Sequence, residues 1–408
     1  MKIALLHYSA PPVVGGVEAV VAEHARRMAG AGHQVRILAG RGEPFDGRVA
    51  LDVRPRLGSR AAEVLRVKSA LDAGAIPPGF ERLRAEIRDD LRAGLEGSGL
   101  LFAHNVASLH KNLALTAALH DLYREAGFPR LILWHHDLAW KAPRYRAELH
   151  DGFPWDLLRA RWEGAVHVTV SGQRRRELAD LLGLPEASIR VVPNGVDRDT
   201  FFKLEPETIR LSAELGLQAA APLLLLPARL TPRKNVELAL RTLAELRRSD
   251  PQAMLLVTGP EGPHNPSNAA YRERLLALRD ELGLQAAAHF LAGNGVEFLP
   301  DRVVSDFYRL ADALLFPSRE EGFGIPLLEA GFSRLPVFCA DLPALRELGG
   351  ADVSFFDPEE EPRAVARLIH ARLDAEATSR WARRARRGFD WGSIYAERIA
   401  PLIQEVMA

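Results

Sequence analysis

At 408 residues the chain is longer than one ordinary core holds and suits two domains of roughly 150 to 200 residues. Hydrophobic residues at 47% and charged residues at 26% exclude a disordered, fibrous or low-complexity protein. Lys+Arg and Asp+Glu balance at 53 each, so nothing in the net charge points to nucleic acid or to whole-molecule attraction by anionic lipid.

The opening MKIALLHYSAPPVVGG carries one lysine and a short apolar run broken by His7 and two prolines, which predicts a first buried strand and not a signal peptide. No apolar stretch approaches the roughly 20 residues that span a bilayer, and the densest run, PLLLLPA from Pro222, has strand length. A cytoplasmic chain without a transmembrane segment is therefore expected, with peripheral membrane contact left open. Short apolar runs then alternate with amphipathic segments: KIALLH, QVRILAG, GLLFAHN, RLILWHH, AVHVTVS and IRVVPNG in the first half. The pattern restarts with PLLLLPARL, AMLLVTG, HFLAGN, ALLFPS, LPVFCAD and SFFD. This alternation predicts two doubly wound, Rossmann-like α/β domains, with the seam near Arg198 after the turn-forming Asn-Gly of VVPNGVD. Two segments depart from it. Residues 54–98 read as arginine-rich helices with a solvated face. DLAWKAPRYRAELHDGFPWDLLRARW interleaves Trp140, Tyr145, Phe153 and Trp155 with basic groups, and reads either as an acceptor-side lip or as local packing. The single cysteine, Cys339 in LPVFCAD, excludes an internal disulfide and reads as a buried strand residue.

Four constellations carry chemistry. Gly15 and Gly16 follow the first strand and open a helix, either as a plain tight turn or as a place where backbone N–H groups meet an anion. The spaced third glycine of a dinucleotide fingerprint is missing. Gly32 reads as the glycine that ends this helix. In LILWHHDLAW, His135, His136 and Asp137 stand at a strand end; zinc would want further ligands at helical spacing, and none is evident. In ARLTPRKNVELAL, Arg229 ends a strand and Lys234 stands five positions on, at a helix start. Arginine offers a planar fork and lysine a point charge, so the pair suits a diphosphate whose negative charge grows as its bond breaks; two surface cations are the plain alternative. Finally, PSREEGFGIPLLEAG sets Glu321 in a loop and Glu329 about one turn into the following helix, with Pro326 in its first turn. The free N–H groups of Phe323, Gly324 and Ile325 are expected to face the same space. An acid/base pair remains open; carboxylates accepting hydrogen bonds from a sugar diol fit best, and a metal fits poorly for want of a His or Asp cluster nearby. His104 and Asn105 end another strand, facing an acceptor or serving as a cap.

Together GGVE, HHD, VVPNGVD, ARLTPRKN, EEGFGIPLLEAG and LPALRE, in this order along the whole chain, resemble the retaining glycosyltransferases of family 4. The resemblance implies the GT-B fold of two facing Rossmann-like domains with an interdomain cleft: residues 1–198 on the acceptor side, 199–386 binding the nucleotide-sugar, and 387–408 a helical segment crossing back to the first domain. It implies transfer of a sugar from a nucleotide-diphosphate sugar, on UDP, GDP or ADP, to a small-molecule, glycan or lipid-linked acceptor, with retention and without a metal or other cofactor. Gly16 would approach the diphosphate and Arg229 and Lys234 would neutralise it. Glu321, with the amides of Phe323 and Gly324, would hold the donor sugar, Glu329 the ribose, and His136 would stand near the reaction centre. His135 takes a position that is not usually histidine in the family. A non-hydrolysing nucleotide-sugar epimerase and a catalytically silent sugar-nucleotide binding protein are the competing readings.

Overall fold

The computed structural model describes residues 1–260, 267–291 and 299–408. The chain divides into two compact units: Met1–Val196 with Phe389–Ala408, and Asp197–Gly388.

The first unit holds a seven-stranded parallel sheet made of β1 (Lys2–His7), β2 (Gln34–Ala39), β3 (Val49–Val53), β4 (Leu100–His104), β5 (Arg130–His135), β6 (Val166–Thr169) and β7 (Arg190–Val191), in the spatial order β3-β2-β1-β4-β5-β6-β7. Helices cover both faces, so the central strands are buried on both sides and read as unbroken apolar runs. On one face Leu6, Leu101 and Leu133 pack with Leu83, Ile87 and Leu115 of the covering helices. On the other, Ile3, Leu5 and Phe102 pack with Trp391, Ile394, Leu402 and Ile403 of the C-terminal segment. Each such side chain contributes roughly 1.5–3 kcal/mol when fully buried.

The second unit repeats the plan with β8 (Leu223–Leu226), β9 (Met254–Val257), β10 (Ala288–Phe290), β11 (Ala313–Phe316), β12 (Val337–Ala340) and β13 (Ser354–Phe356), ordered β10-β9-β8-β11-β12-β13. All four leucines of β8 are buried. Cys339 lies sealed in β12, and burial pushes its thiol up to about 12, which fits a structural residue. The predicted run HFLAGN forms strand only as far as Phe290; its residues from Ala292 lie outside those described.

Two details differ from the sequence reading, and a third favours one of its alternatives. β3 was not anticipated, because an edge strand with one half-covered face shows no apolar run: in VALDV only Val49 is buried. The arginines of residues 54–98 do more than face solvent, since Arg84 grips Asp121 of a neighbouring helix at 2.7 and 2.6 Å. The aromatic insertion is local packing in good part: Trp155 belongs to the core, and Trp140 lies under the Arg159 guanidinium at 4.1 Å.

Candidate active site

In a parallel sheet the loops beyond the strand C-termini carry function, and both units place their unusual residues there. In the second unit the loop after β8 and the loop after β11 meet because those strands are neighbours. The Arg319 amide donates to the Arg233 carbonyl at 2.8 Å, tying the two loops. Lys234 and Glu321 are thereby joined in an ion pair, with side chains only 11% and 9% exposed. The ammonium also lies 4.8 Å from the ring centre of Phe316, the last residue of β11. Arg229, three residues past the end of β8, is exposed, with no side-chain partner among the described residues.

The helix Ile325–Phe332 opens at Gly324, whose φ of +100° favours glycine; a Cβ there would lie 2.4 Å from Leu345 Cδ2, so no other residue fits without displacement. Pro326 occupies the first turn and brings no N–H, the Leu327 amide donates to the Gly324 carbonyl at 2.9 Å, and the amides of Phe323, Gly324 and Ile325 have no backbone acceptor among the described residues. Phe323 and Ile325 are exposed at 55% and 60%, which leaves this end open to a ligand. Glu329, one turn in, is exposed, and its Oε2 accepts a hydrogen bond of 2.5 Å from the hydroxyl of buried Tyr308 on the helix Asp301–Leu310. Burial, then this carboxylate, push the Tyr308 hydroxyl well up, so it stays protonated and donates to Glu329. Glu321 and Glu329 thus have separate partners, a cation and a phenol.

In the first unit β1, β4 and β5 are neighbours, and each ends in histidine: His7, His104 and His135. His7 Nδ1 donates to the His104 carbonyl at 3.0 Å, and His104 Nδ1 lies 3.1 Å from His136 Nε2. Asn105, at φ +60°, turns its side-chain oxygen to accept from the amides of His136 at 2.8 Å and Asp137 at 3.2 Å. Successive residues at a strand end point to opposite faces, so His135 turns away from His104 and pairs with His167 at 3.0 Å. Burial holds His136 and His24 down to about 3 and His167 to about 4, and pushes His104 and His135 well below the ordinary histidine value. All are neutral at neutral pH.

His104, Asn105 and His135 are all buried with their side chains engaged inside the unit, and Asn105 acts as the cap that was the alternative reading. His136 is buried as well, yet its Nδ1 has no partner among the described residues and, unlike His104 Nε2, is not sealed away. At the end of β1, Gly15 caps the helix Gly16–Gly30, and no atom lies within 4 Å of where a Cβ on Gly16 would stand. Glu18 in this first turn accepts from Ser9 at 2.6 Å and stands 3.8 Å from His7 Nε2.

Sequence reasoning missed Tyr308, Glu18 and His7 as parts of these edges. It also missed one group that could hold a metal among the described residues: Asp72, His110 and Glu148, whose ligand atoms lie within 4.8 Å of one another. Lys68 Nζ already sits 2.5 Å from Asp72 and 3.1 Å from Glu148, so an ammonium supplies the cation there.

Two Rossmann-type parallel sheets, one edged with neutral imidazoles and the other with a lysine–glutamate pair beside a glycine-opened helix, define a two-domain α/β enzyme of the GT-B glycosyltransferase class. Family models match on each half: Glycosyltransferase Family 4 over residues 14–200 and Glycosyl transferases group 1 over residues 208–388. The chain belongs to this glycosyltransferase family. It is 33% identical over 244 residues to a D-inositol 3-phosphate glycosyltransferase of Kineococcus radiotolerans, covering 55% of this chain and 54% of that protein. It is 26% identical to the MMP alpha-(1->4)-mannosyltransferase of Mycolicibacterium hassiacum, over 98% of this chain and 97% of that one. The matches span about half the length of the first curated relatives. Among solved structures, the sucrose-phosphate synthase of Thermosynechococcus elongatus matches at 19% identity over 99% of this chain and 98% of that chain, with a TM-score of 0.38. No helix among the described residues is long and apolar enough to cross a membrane.

Proposed function

We propose that the protein is a retaining, metal-independent glycosyltransferase that moves a sugar from a nucleotide-diphosphate sugar to an acceptor hydroxyl. The observation that carries this reading is the buried Lys234–Glu321 pair at the shared edge of β8 and β11, four residues before the open end of the helix Ile325–Phe332, with exposed Arg229 in the same loop after β8 as Lys234. The pair is neutral as a whole. The net attraction for a diphosphate then comes from Arg229 and the unpaired amides, and Lys234 contributes a fixed donor already in place. Glu321 accepts from the donor sugar's hydroxyls and Glu329, oriented by Tyr308, from the ribose diol. The second unit is the donor-binding domain and the first the acceptor side, where Gly16 leaves room for the diphosphate and His136 stands near the transferred sugar.

In the reaction the bond from the anomeric carbon to the leaving phosphate oxygen breaks, and a bond to the acceptor oxygen forms on the same face. The acceptor's hydroxyl proton passes to that leaving oxygen, and a nucleoside diphosphate departs. No carboxylate is consumed as a nucleophile, and the chain's work is positioning and charge stabilisation. Arg229, the unpaired amides and the fixed Lys234 donor do the work that a metal would otherwise do.

Arg229→Ala and Lys234→Ala test the reading, with sugar transfer as the readout and the thermal melting point as a control for folding. Loss of transfer in folded variants is expected; wild-type rates in both would overturn it. Consumption of the nucleotide-sugar with epimerised product in an acceptor-free assay would replace it with the epimerase reading.

A further inference from the structure

His136 meets His104 through an N–H···N contact of 3.1 Å inside a neutral, buried cluster, so one ring donates a proton and the other accepts. The choice is set by the far side of His104. Its Nε2 is sealed from solvent and has no partner among the described residues. A proton on Nε2 would be a buried N–H with no acceptor, which folded proteins rarely leave. A proton on Nδ1 leaves only a lone pair unused and makes the bond to His136. The rest of the strand end supports one arrangement: the His104 carbonyl is anchored by His7, and the neighbouring Asn105 side chain holds the amides of His136 and Asp137. Ring and backbone of His136 are therefore fixed from the end of β4.

We propose that His104 is a positioning residue that donates from Nδ1 to His136 Nε2 and so locks His136 in its Nδ1–H tautomer, presenting an N–H donor, not a base, to a hydroxyl oxygen of the donor sugar. The role at the sugar rests on the proposed function; the tautomer does not. A general base at this position would need its lone pair turned outward, and here the lone pair is spent on His104.

The test uses the full chain labelled with ¹⁵N-histidine and long-range ¹H–¹⁵N correlation spectra at neutral pH, with His136 assigned through His136→Gln. The expected spectrum shows His136 protonated on Nδ1. In His104→Leu that signal shifts toward the Nε2–H form, and kcat for transfer falls roughly tenfold with a smaller change in the donor KM. His104→Gln, whose amide can donate from the same side, restores much of both. A wild-type His136 protonated on Nε2, or a His136 tautomer indifferent to His104→Leu, would overturn the proposal. An Nδ1–H tautomer together with full transfer by His136→Leu, which has no donor, would leave the lock standing and overturn the role at the sugar.

Discussion

The two units share one architecture and equip the same edge of it in opposite ways. The first ends β1, β4 and β5 in histidines that burial keeps neutral; the second ends β8 and β11 in loops that hold a buried ion pair and an exposed arginine. Neutral imidazoles and amides offer directional hydrogen bonds without net charge, which suits sugar and acceptor hydroxyls. Charges suit a diphosphate. On the proposed function, one scaffold divides the chemistry of a nucleotide-sugar between two strand edges.

The largest effect that would break this contrast is at Lys234. Lys234→Ala leaves Glu321 buried and unpaired where a diphosphate is to bind, so transfer should fall by roughly a thousandfold or more and stability by about 3–5 kcal/mol. Adding Glu321→Gln should recover much of the melting point and none of the transfer, as a thermal melt and a rate assay on the double variant would show.

Acid should act on the first unit. His24, His104, His135, His136 and His167 are held neutral by burial, with folded values of about 3 to 4 where a value is resolved, against an ordinary 6.5. The unfolded chain binds protons that the folded unit refuses, so stability is complete above pH 6.5 and is lost as pH falls toward 4. Each histidine contributes about 1.4 kcal/mol per pH unit over that window. Urea unfolding at pH 7.5 and 5.5 should show the fall; equal midpoints would mean that the cluster is protonated or solvated in the folded protein.

A smaller effect is expected at Gly324→Ala, where a positive φ and the 2.4 Å approach to Leu345 should cost about 1–3 kcal/mol of stability and displace the helix end. The smallest is Tyr308→Phe. It removes only the hydroxyl that orients Glu329, so affinity for the nucleoside diphosphate should fall by about 1–2 kcal/mol, measured by calorimetry, with the melting point little changed.

The strands were legible wherever both faces are buried, as in KIALLH and LLLL, because such strands need unbroken apolar residues. Edge strand β3 was not, since Asp52 and the partly exposed residues around it hide the pattern. Within the site, Lys234 and Glu321 could each be singled out from local context, but their pairing spans 87 positions and follows only from β8 lying beside β11. Tyr308 leaves no local trace, because a tyrosine on an amphipathic helix reads as core until its hydroxyl is seen on Glu329. The histidine cluster did leave one: the runs LLH, FAH and LWH each end in histidine, and the sheet order sets those ends side by side. That repeat went unread, and it carries no signal for the direction of each ring.

The central claim, that the edge of β8 and β11 binds a nucleoside diphosphate, is tested most directly by calorimetric titration of UDP, GDP and ADP into the wild-type chain and into Arg229→Ala. The account predicts that at least one of the three binds the wild type and binds the variant at least tenfold more weakly, about 1.4 kcal/mol, as expected for a lost charged hydrogen bond. Binding of equal strength to both proteins, or no binding of any of the three to the wild type, would contradict it.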